Sequence, residues 1–118
     1  MTLSDQVEAA TGADRELDAL IFVAVNGYEK RHNERLGFDQ YWKDGRWVGL
    51  GSMPPYSTSI DAALTLVMKG WDWLKCLDER GHTIFAVYAG DGAELGRSIY
   101  TNSDVRALCA AALRARGL

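Results

Sequence analysis

The segment WDWLKCLDERGHTIFAVY, residues 71–88, decides the fold of this chain. Its two ends are rich in aromatic and β-branched side chains, and the polar DERG between them suits a type I turn followed by a glycine bulge. We therefore predict an antiparallel hairpin. A turn of this length sets Cys76 opposite Ile84 and Leu74 opposite Ala86.

Both faces of this hairpin are apolar. With strands at 71–77 and 82–88, alternate side chains point to opposite sides of the sheet. One face carries Leu74, Cys76, Ile84, Ala86 and Tyr88, and the other carries Trp71, Trp73, Leu77, Phe85 and Val87. A sheet with one wet face would alternate between apolar and polar residues. We therefore predict a sheet that is covered on both sides, by helices or by a partner chain.

A second hairpin is predicted at YWKDGRWV, residues 41–48. Asp-Gly is a favoured two-residue turn because both positions take positive φ angles. Trp42 then lies opposite Trp47. We interpret these two residues, together with Trp71 and Trp73, as core or interface anchors; a stacking platform for a nucleotide base is the alternative.

Four helices are predicted from start signals, helical spacing of apolar residues and stop signals. They span residues 2–10, 14–26, 58–69 and 103–116. The remaining segments are predicted as a loop or frayed helical extension at 28–38, an extended linker at 49–56 and a loop at 89–101.

The last predicted helix buries one stripe of residues. Val105, Leu108, Cys109 and Ala112 recur at helical spacing and should face the sheet. Small residues on this stripe favour close packing, so we interpret Cys109 as inert. The helix at 58–69 shares that side of the sheet or covers the other side. These elements predict an α+β fold with a small, mainly antiparallel sheet of about four strands in hairpins, covered by helices on both faces.

Length and composition fit one globular domain, residues 1–118, and argue against several partners. The formal net charge is -3, from 13 basic and 16 acidic residues, and phosphate binding by a nucleic-acid protein needs a clustered basic surface. No apolar stretch approaches the roughly 20 residues that span a bilayer. Because the N-terminus lacks a basic start and an apolar run, we expect a cytoplasmic protein with Cys76 and Cys109 reduced.

Five pieces of the chain carry a resemblance to a known family. The pieces are LSDQVEAATG (3–12), DRELD (14–18), PPYSTSIDAALTLV (54–67), GWDW (70–73) and ALCAAALRA (107–115). Together they resemble the phage ABA sandwich domain family, a group of short proteins encoded in phages, prophages and many proteobacterial genomes. The resemblance implies an α-β-α sandwich and a phage or prophage setting. It brings no catalytic residues.

Residues typical of catalysis or metal binding have structural interpretations in this chain. Cys76, Asp78 and His82 are close on the hairpin, as in a thiol nucleophile or a metal site, but a core cysteine beside a surface Asp–His pair fits them better. No spacing typical of a zinc site occurs. The glycines in 90–96 are spaced wrongly for a dinucleotide loop, and Asp91 would repel a pyrophosphate. We predict no enzyme, no metal and no cofactor.

The candidate ligand site is a polar helix start. Its residues are Tyr56, Ser57, Thr58 and Ser59. Exposed amides and hydroxyls at a helix start hold anions such as a nucleotide phosphate. Arg97 and Tyr100, on the predicted loop at 89–101, would complete the site. The alternative is that Thr58 or Ser57 caps the helix while Tyr56 packs beside it.

Two functions are therefore expected. The first is a non-enzymatic phage or prophage accessory protein that acts through protein contacts or self-association. It rests on the two apolar sheet faces, on Phe22, which points away from the apolar face of its helix, and on the lack of a catalytic constellation. The alternative is a protein that binds or sequesters a nucleotide-type ligand at residues 56–59 in phage–host conflict. Nucleic acid and membranes are not expected as partners.

Overall fold

The computed structural model describes residues 1–10, 12, 14–48, 54–99, 101 and 103–118. These residues form four helices and six strands. The helices are α1 (Leu3–Ala9), α2 (Arg15–Asn26), α3 (Ile60–Leu64) and α4 (Asp104–Ala115). The strands are β1 (Glu29–Asn33), β2 (Phe38–Lys43), β3 (Arg46–Val48), β4 (Asp72–Leu77), β5 (Thr83–Tyr88) and β6 (Glu94–Arg97). Most of the predicted linker (49–53) and Tyr100 lie outside the described residues.

Each helix begins at a residue whose side chain accepts a hydrogen bond from a backbone N–H three positions further on. These residues are Thr2, Asp14, Ser59 and Ser103. Gly27 ends α2 in the left-handed conformation, with a φ of 71°. Local start and stop signals thus set the helix limits at most ends.

The strands form two separate antiparallel sheets of three strands each. We call β1–β2–β3 the arm sheet and β4–β5–β6 the core sheet. Both predicted hairpins are confirmed in register: Trp42 lies opposite Trp47, and Cys76 lies opposite Ile84. In the core sheet, β4 and β5 each begin one residue later than predicted.

One strand of each sheet lies in a segment that was expected to be a loop. β1 occupies part of 28–38, and β6 occupies part of 89–101. The sequence of β1, EKRHN, has no apolar residue and so gives no strand pattern. Its pairing with β2 is accompanied by an ion pair of Lys30 with Asp39 at 3.2 Å and by a hydrogen bond between His32 Nδ1 and Asp39 Oδ1 at 2.9 Å. The prediction of loop or helix for these segments is wrong because cross-strand partners, not local pattern, stabilise them.

α3 is much shorter than the predicted helix at 58–69. Its cap is Ser59, so the interpretation of Thr58 or Ser57 as the cap is wrong. Beyond Leu64 the chain continues in turns, where the guanidinium of Arg116 donates to the carbonyl oxygen of Leu66 at 2.7 Å. This side chain from the end of α4 satisfies a carbonyl group that a longer helix would have bonded internally.

α4 is the centre of the core. Every residue from 106 to 113 is buried, and the helix contacts α1, α3, β5 and β6. The predicted stripe is therefore too narrow, and its first member, Val105, is only half-buried. At Gly96 of β6, an added Cβ would collide with the carbonyl oxygen of Ala111 and lie 2.5 Å from the backbone nitrogen of Ala115. The strand crosses the helix backbone to backbone.

The fold is α+β, with six described strands where about four were predicted. In the described part of the chain, α4 is the helix that packs on the core sheet, against the face that carries Phe85 and Val87. The predicted cover of helices on both sheet faces is not confirmed. The α-β-α sandwich implied by the resemblance is not confirmed either.

The arm sheet extends away from the helices. The described residues span 52 × 31 × 24 Å, with a radius of gyration of 15.3 Å, where a compact domain of this length has about 13.5 Å. At the base of the arm, the ring centroids of Phe22 and Tyr28 are 5.2 Å apart, and the ammonium of Lys43 lies over the Tyr28 ring. The off-face Phe22 therefore joins α2 to the arm. Within the described ranges, no helix has the length and apolar character needed to cross a membrane.

Candidate functional site

The polar groups of the predicted anion site are mostly bonded within the chain. Ser57 is buried, its N–H donates to Asp18 Oδ1 at 2.8 Å, and its hydroxyl accepts from the N–H of Asp14 at 3.2 Å. Ser59 Oγ caps α3. The N–H of Thr58 donates to the carbonyl oxygen of Pro55 at 3.1 Å, although the Thr58 side chain is exposed. These bonds fasten α3 to α2 and leave few donors for an anion.

Arg97 lies on β6, away from this helix start in the contacts that the structure describes. Its guanidinium pairs with the carboxylate of Glu94, with Nε 2.8 Å from Oε1. Its carbonyl oxygen accepts from Arg114 Nη1 at 2.9 Å. The structure therefore gives Arg97 partners in the core sheet and α4, and it does not bring Arg97 together with residues 56–59. Anion binding by these residues stays a prediction.

A buried polar group lies behind the helix start. The carboxylate of Asp18 is buried and also accepts from Arg15 Nη1 at 2.9 Å. Burial raises the pKa of Tyr56, and the nearby Cys109 and Asp18 act in the same direction. Burial, with Asp18 as a lesser cause, raises the pKa of the Cys109 thiol to about 12. Both groups are therefore neutral at physiological pH.

Of the residues Cys76, Asp78 and His82, the last two lie at the turn of the core hairpin, whereas Cys76 lies on β4 opposite Ile84. Asp78 Oδ1 accepts from the N–H groups of Arg80 and His82, each at 2.9 Å, and these bonds lower the pKa of Asp78. The nearest approach of the Asp78 carboxylate to His82 Nδ1 in this pair is 3.8 Å. Among the described residues, no three His, Cys, Asp or Glu side chains are grouped to hold a metal ion.

A groove of about 260 Å³ lies between α2 and the arm sheet. It is lined by Glu16, Ala19, Leu20, Lys30, Asp39 and Tyr41. The ammonium of Lys30 and the carboxylate of Asp39 are 3.2 Å apart. The hydrogen bond with Asp39 raises the pKa of Lys30, and the hydrogen bonds with His32 and, second, with Lys30 lower the pKa of Asp39. Since these two charges already satisfy one another, the groove offers little to select a ligand.

β4 is the most unusual surface of the molecule, because an apolar strand lies at the edge of a sheet. Trp73 is 43%, Leu74 45% and Leu77 68% exposed. Trp73 contacts Phe85 of the neighbouring strand, with ring centroids 5.9 Å apart, yet much of its indole stays open to solvent. These three residues cover both faces of one edge strand. Natural edge strands usually carry charged residues or proline instead.

The backbone of β4 has hydrogen-bonding groups on its open side. The N–H of Asp78 donates to the carbonyl oxygen of His82 at 2.8 Å, and bonds to a single neighbour alternate along an antiparallel strand. Residues with even numbers in β4 therefore bond to β5. The N–H and C=O groups of Trp73, Lys75 and Leu77 point away from β5. A further strand has a row of partners here.

No β4 residue is among the candidate ligand-site residues predicted from the sequence, although Trp73 is interpreted as a core or interface anchor. The signal was present, because apolar residues on both faces of the 71–88 hairpin indicated cover by helices or a partner. The cover was assigned to the whole hairpin, whereas only β5 is buried and β4 is exposed at most positions. The order of strands in a sheet decides this difference, and the sequence does not contain that order.

The chain was compared with models of protein families, with curated proteins and with solved structures, and none of them matches it.

Proposed function

We propose that this protein is a non-enzymatic interaction protein whose working surface is the open edge of β4. The single observation that carries the proposal is an apolar edge strand, with Trp73, Leu74 and Leu77 each more than two-fifths exposed. Burial of such side chains against another protein releases about 25 cal/mol for each square ångström of apolar surface. Strand addition would also satisfy the open backbone groups.

The setting of this activity belongs to the proposal as well. The resemblance to the phage ABA sandwich domain family supports a phage or prophage accessory protein that works in the bacterial cytoplasm. Protein contacts, chiefly self-association, are the expected mode of action. Catalysis is not part of the proposal, because no described cluster combines a nucleophile, a base and an orienting group.

Light scattering of the purified chain over a wide range of concentrations tests the proposal. We expect the mean mass to rise from the 13.0 kDa of one chain as concentration increases. Leu74→Asp places a carboxylate in the centre of the edge and should keep the protein monomeric. Because Leu74 is 45% exposed, this change should leave the circular dichroism spectrum intact.

Leu36→Asp is the matched control. Leu36 is 54% exposed, in the turn between β1 and β2 of the arm sheet, so it changes an exposed leucine to the same acid away from β4. This variant should associate like the parent chain. A parent chain that remains a strict monomer at the highest concentration would sink the proposal.

Thermal shift with nucleotides separates this function from the nucleotide-binding alternative. Bound ligand stabilises the folded state in proportion to the logarithm of its concentration over Kd. We expect no shift with millimolar nucleoside mono-, di- or triphosphates, since the amide and hydroxyl of Ser57 are already bonded to Asp18 and Asp14. A shift that Ser59→Ala abolishes would favour the alternative.

A further inference from the structure

We propose that the partner of β4 is β4 of a second copy, paired antiparallel about a twofold axis that passes beside Leu74. The inference rests on the proposed function, since it names the partner and the residue pairs of the same edge. The two core sheets then form one continuous antiparallel sheet of six strands, with the order β6–β5–β4–β4–β5–β6. The two α4 helices lie on the same side of that sheet.

The hydrogen-bonding pattern limits the possible registers. A twofold axis perpendicular to the sheet brings residues of the same face opposite each other, so odd positions meet odd positions and even positions meet even ones. With the axis at Leu74, Trp73 of each copy faces Lys75 of the other. Both residues have outward N–H and C=O groups, so each of the two pairs exchanges two hydrogen bonds.

The side chains of this register are complementary. The ammonium of Lys75 lies near the indole of Trp73 of the second copy, and the arrangement occurs twice, as two cation–π contacts. Within one chain, Lys75 Nζ also lies 3.0 Å from Asp104 Oδ2. Leu77, the most exposed of the three apolar residues, comes opposite Trp71 of the second copy.

In the same register, the second copy covers Leu74 on the outer face of the core sheet, which is the face opposite α4. The two leucines form the pair on the axis, which is of the non-hydrogen-bonded type, with Cα atoms about 4.5 Å apart and side chains in contact. Leu74 is nearly half exposed in one chain, and the symmetry-related leucine covers that open part. The apolar outer face of the hairpin thus finds a partner that is as apolar as itself.

Moving the axis towards the turn makes the pairing worse. With the axis at Lys75, the two ammonium groups face each other and Asp72 faces Asp78 of the second copy, and like charges directly opposite destabilise a strand pair. With the axis at Cys76, Leu74 faces the carboxylate of Asp78. Both registers place a charge where the surface of the other copy repels or does not match it.

Moving the axis the other way shortens the pairing. With the axis at Trp73, Leu74 faces Asp72 of the second copy, and Leu77 has no partner. The axis at Leu74 is therefore the register that the residues of β4 favour.

Disulfide trapping tests this register directly. In a Cys76→Ser background, Leu74→Cys places one thiol of each copy on the axis, at the Cα separation that a disulfide bridges. Mild oxidation should convert most Leu74→Cys chains to a covalent dimer of twice 13.0 kDa on a non-reducing gel. Cys109 is buried, so the Cys76→Ser chain alone should stay monomeric on the gel.

Leu77→Cys in the same background is the matched control. Position 77 is more exposed than position 74, so random collision would trap it more readily, whereas the proposed register keeps the two Leu77 residues far apart. We expect at least tenfold less covalent dimer from Leu77→Cys. Equal or greater trapping at position 77, or strong trapping of the parent chain through Cys76, would overturn the register.

Two readouts separate the failure of this inference from the failure of the proposed function. If the parent chain associates by light scattering and Leu74→Cys is not trapped, the register is wrong and the interaction surface stands. If the parent chain never associates, both proposals fall. Amide hydrogen exchange supplies a variant-free check: protection of the Trp73 and Lys75 amides should rise with protein concentration, and unchanged protection in an associating sample would overturn the inference.

Discussion

The arm sheet and the core sheet share one plan but have different surroundings. Each is a three-stranded antiparallel sheet built on a hairpin with a tight turn. The core sheet lies under α4, and four consecutive residues of β5, Ile84, Phe85, Ala86 and Val87, are buried. In the arm sheet, all residues of β1 and β2, and Arg46 and Trp47 of β3, are exposed or half-buried, and β1 is polar throughout. Strand pairing alone therefore buries little, and for Phe85 and Val87 the cover by α4 makes the difference.

Gly96→Ala tests the largest difference between the two sheets, which is the packing of the core sheet against α4. An added Cβ would collide with the carbonyl oxygen of Ala111 and crowd the backbone nitrogen of Ala115, and backbone atoms cannot move aside as a side chain does. We expect a loss of about 3 kcal/mol in the free energy of unfolding, at the upper end of the cost of overpacking. Urea denaturation measures it.

Gly12→Ala is the control for this change. No atom lies within 4 Å of a Cβ at position 12, so the same substitution should cost far less there. Equal losses from Gly12→Ala and Gly96→Ala would show that the contact of β6 with α4 does not hold the core sheet in place.

Arg114 and Arg31 compare the same kind of ion pair in the two regions. Arg114 binds the carboxylates of Glu8 and Asp5 and the carbonyl oxygen of Arg97, and the Glu8 side chain is only 4% exposed. Arg31 binds Glu29 through two nitrogens, but both side chains are more than half exposed.

Arg114→Met should therefore destabilise the chain by about 2 kcal/mol, because it leaves the buried Glu8 carboxylate without its cation; fully buried pairs cost about 3–5 kcal/mol to break. Arg31→Met should leave the midpoint of thermal unfolding unchanged, since exposed pairs contribute little.

Arg114 also lowers the pKa of Asp5 below 3.8. This contribution to the free energy of unfolding is present above pH 3.8 and is lost as pH falls through the lowered pKa of Asp5. In the Arg114→Met variant, the free energy of unfolding should therefore fall less steeply at acid pH. A larger loss from Arg31→Met than from Arg114→Met would contradict the comparison.

Local chemistry was enough to predict much of the fold. The Asp-Gly turn gave the arm hairpin, and the DERG turn gave the register of β4 and β5, because each turn length fixes its cross-strand pairs. The sequence does not predict β1, because this strand is wholly polar. It does not predict β6 either, because this strand is short and contains Gly96 where it packs against α4. Their strand structure depends on partners distant along the chain.

The candidate surface was less predictable than the fold. The apolar faces of 71–77 and 82–88 indicated a need for cover, but the position of β4 at an edge depends on β6 pairing with β5 and not with β4. The polar start at Tyr56 to Ser59 looked available to an anion because the sequence does not reveal Asp18, which comes 39 residues earlier and binds the N–H of Ser57.

The two cysteines report on two different places: Cys76 on the exposed part of the core sheet, and Cys109 on the helix that covers it. Cys76 on β4 is half-buried, and Cys109 on α4 is buried with its pKa raised from 9.0 to about 12. With a thiol reagent at neutral pH, we expect Cys76 to react first and Cys109 only after unfolding.

The raised pKa of Cys109 also makes the stability of the folded state depend on pH. Cys109 favours the folded state while its thiol is protonated, and this contribution is complete below pH 9.0 and falls away as pH rises towards 12. Cys109→Ala should thus lose less stability than the parent chain between these two pH values. Reaction of both thiols at the same rate in the folded protein would contradict the burial of α4.

The smallest effect is expected at the two turns, and it tests whether the arm opens on its own. Asp44 and Gly45 have φ angles of 52° and 75°, and Asn adopts positive φ at such a turn more readily than Asp does. Asp44→Asn should therefore stabilise the arm hairpin by no more than about 0.5 kcal/mol. Because the arm has few contacts with the helices, the gain should be seen as slower amide exchange in β2 and β3 with no change in global unfolding.

Gly81→Ala, at a φ of 78° in the core hairpin, should instead lower the global free energy of unfolding by about 1 kcal/mol. If Asp44→Asn slows exchange in β4 and β5 as well, the two sheets unfold as one unit, and the difference between them is one of surface and not of stability.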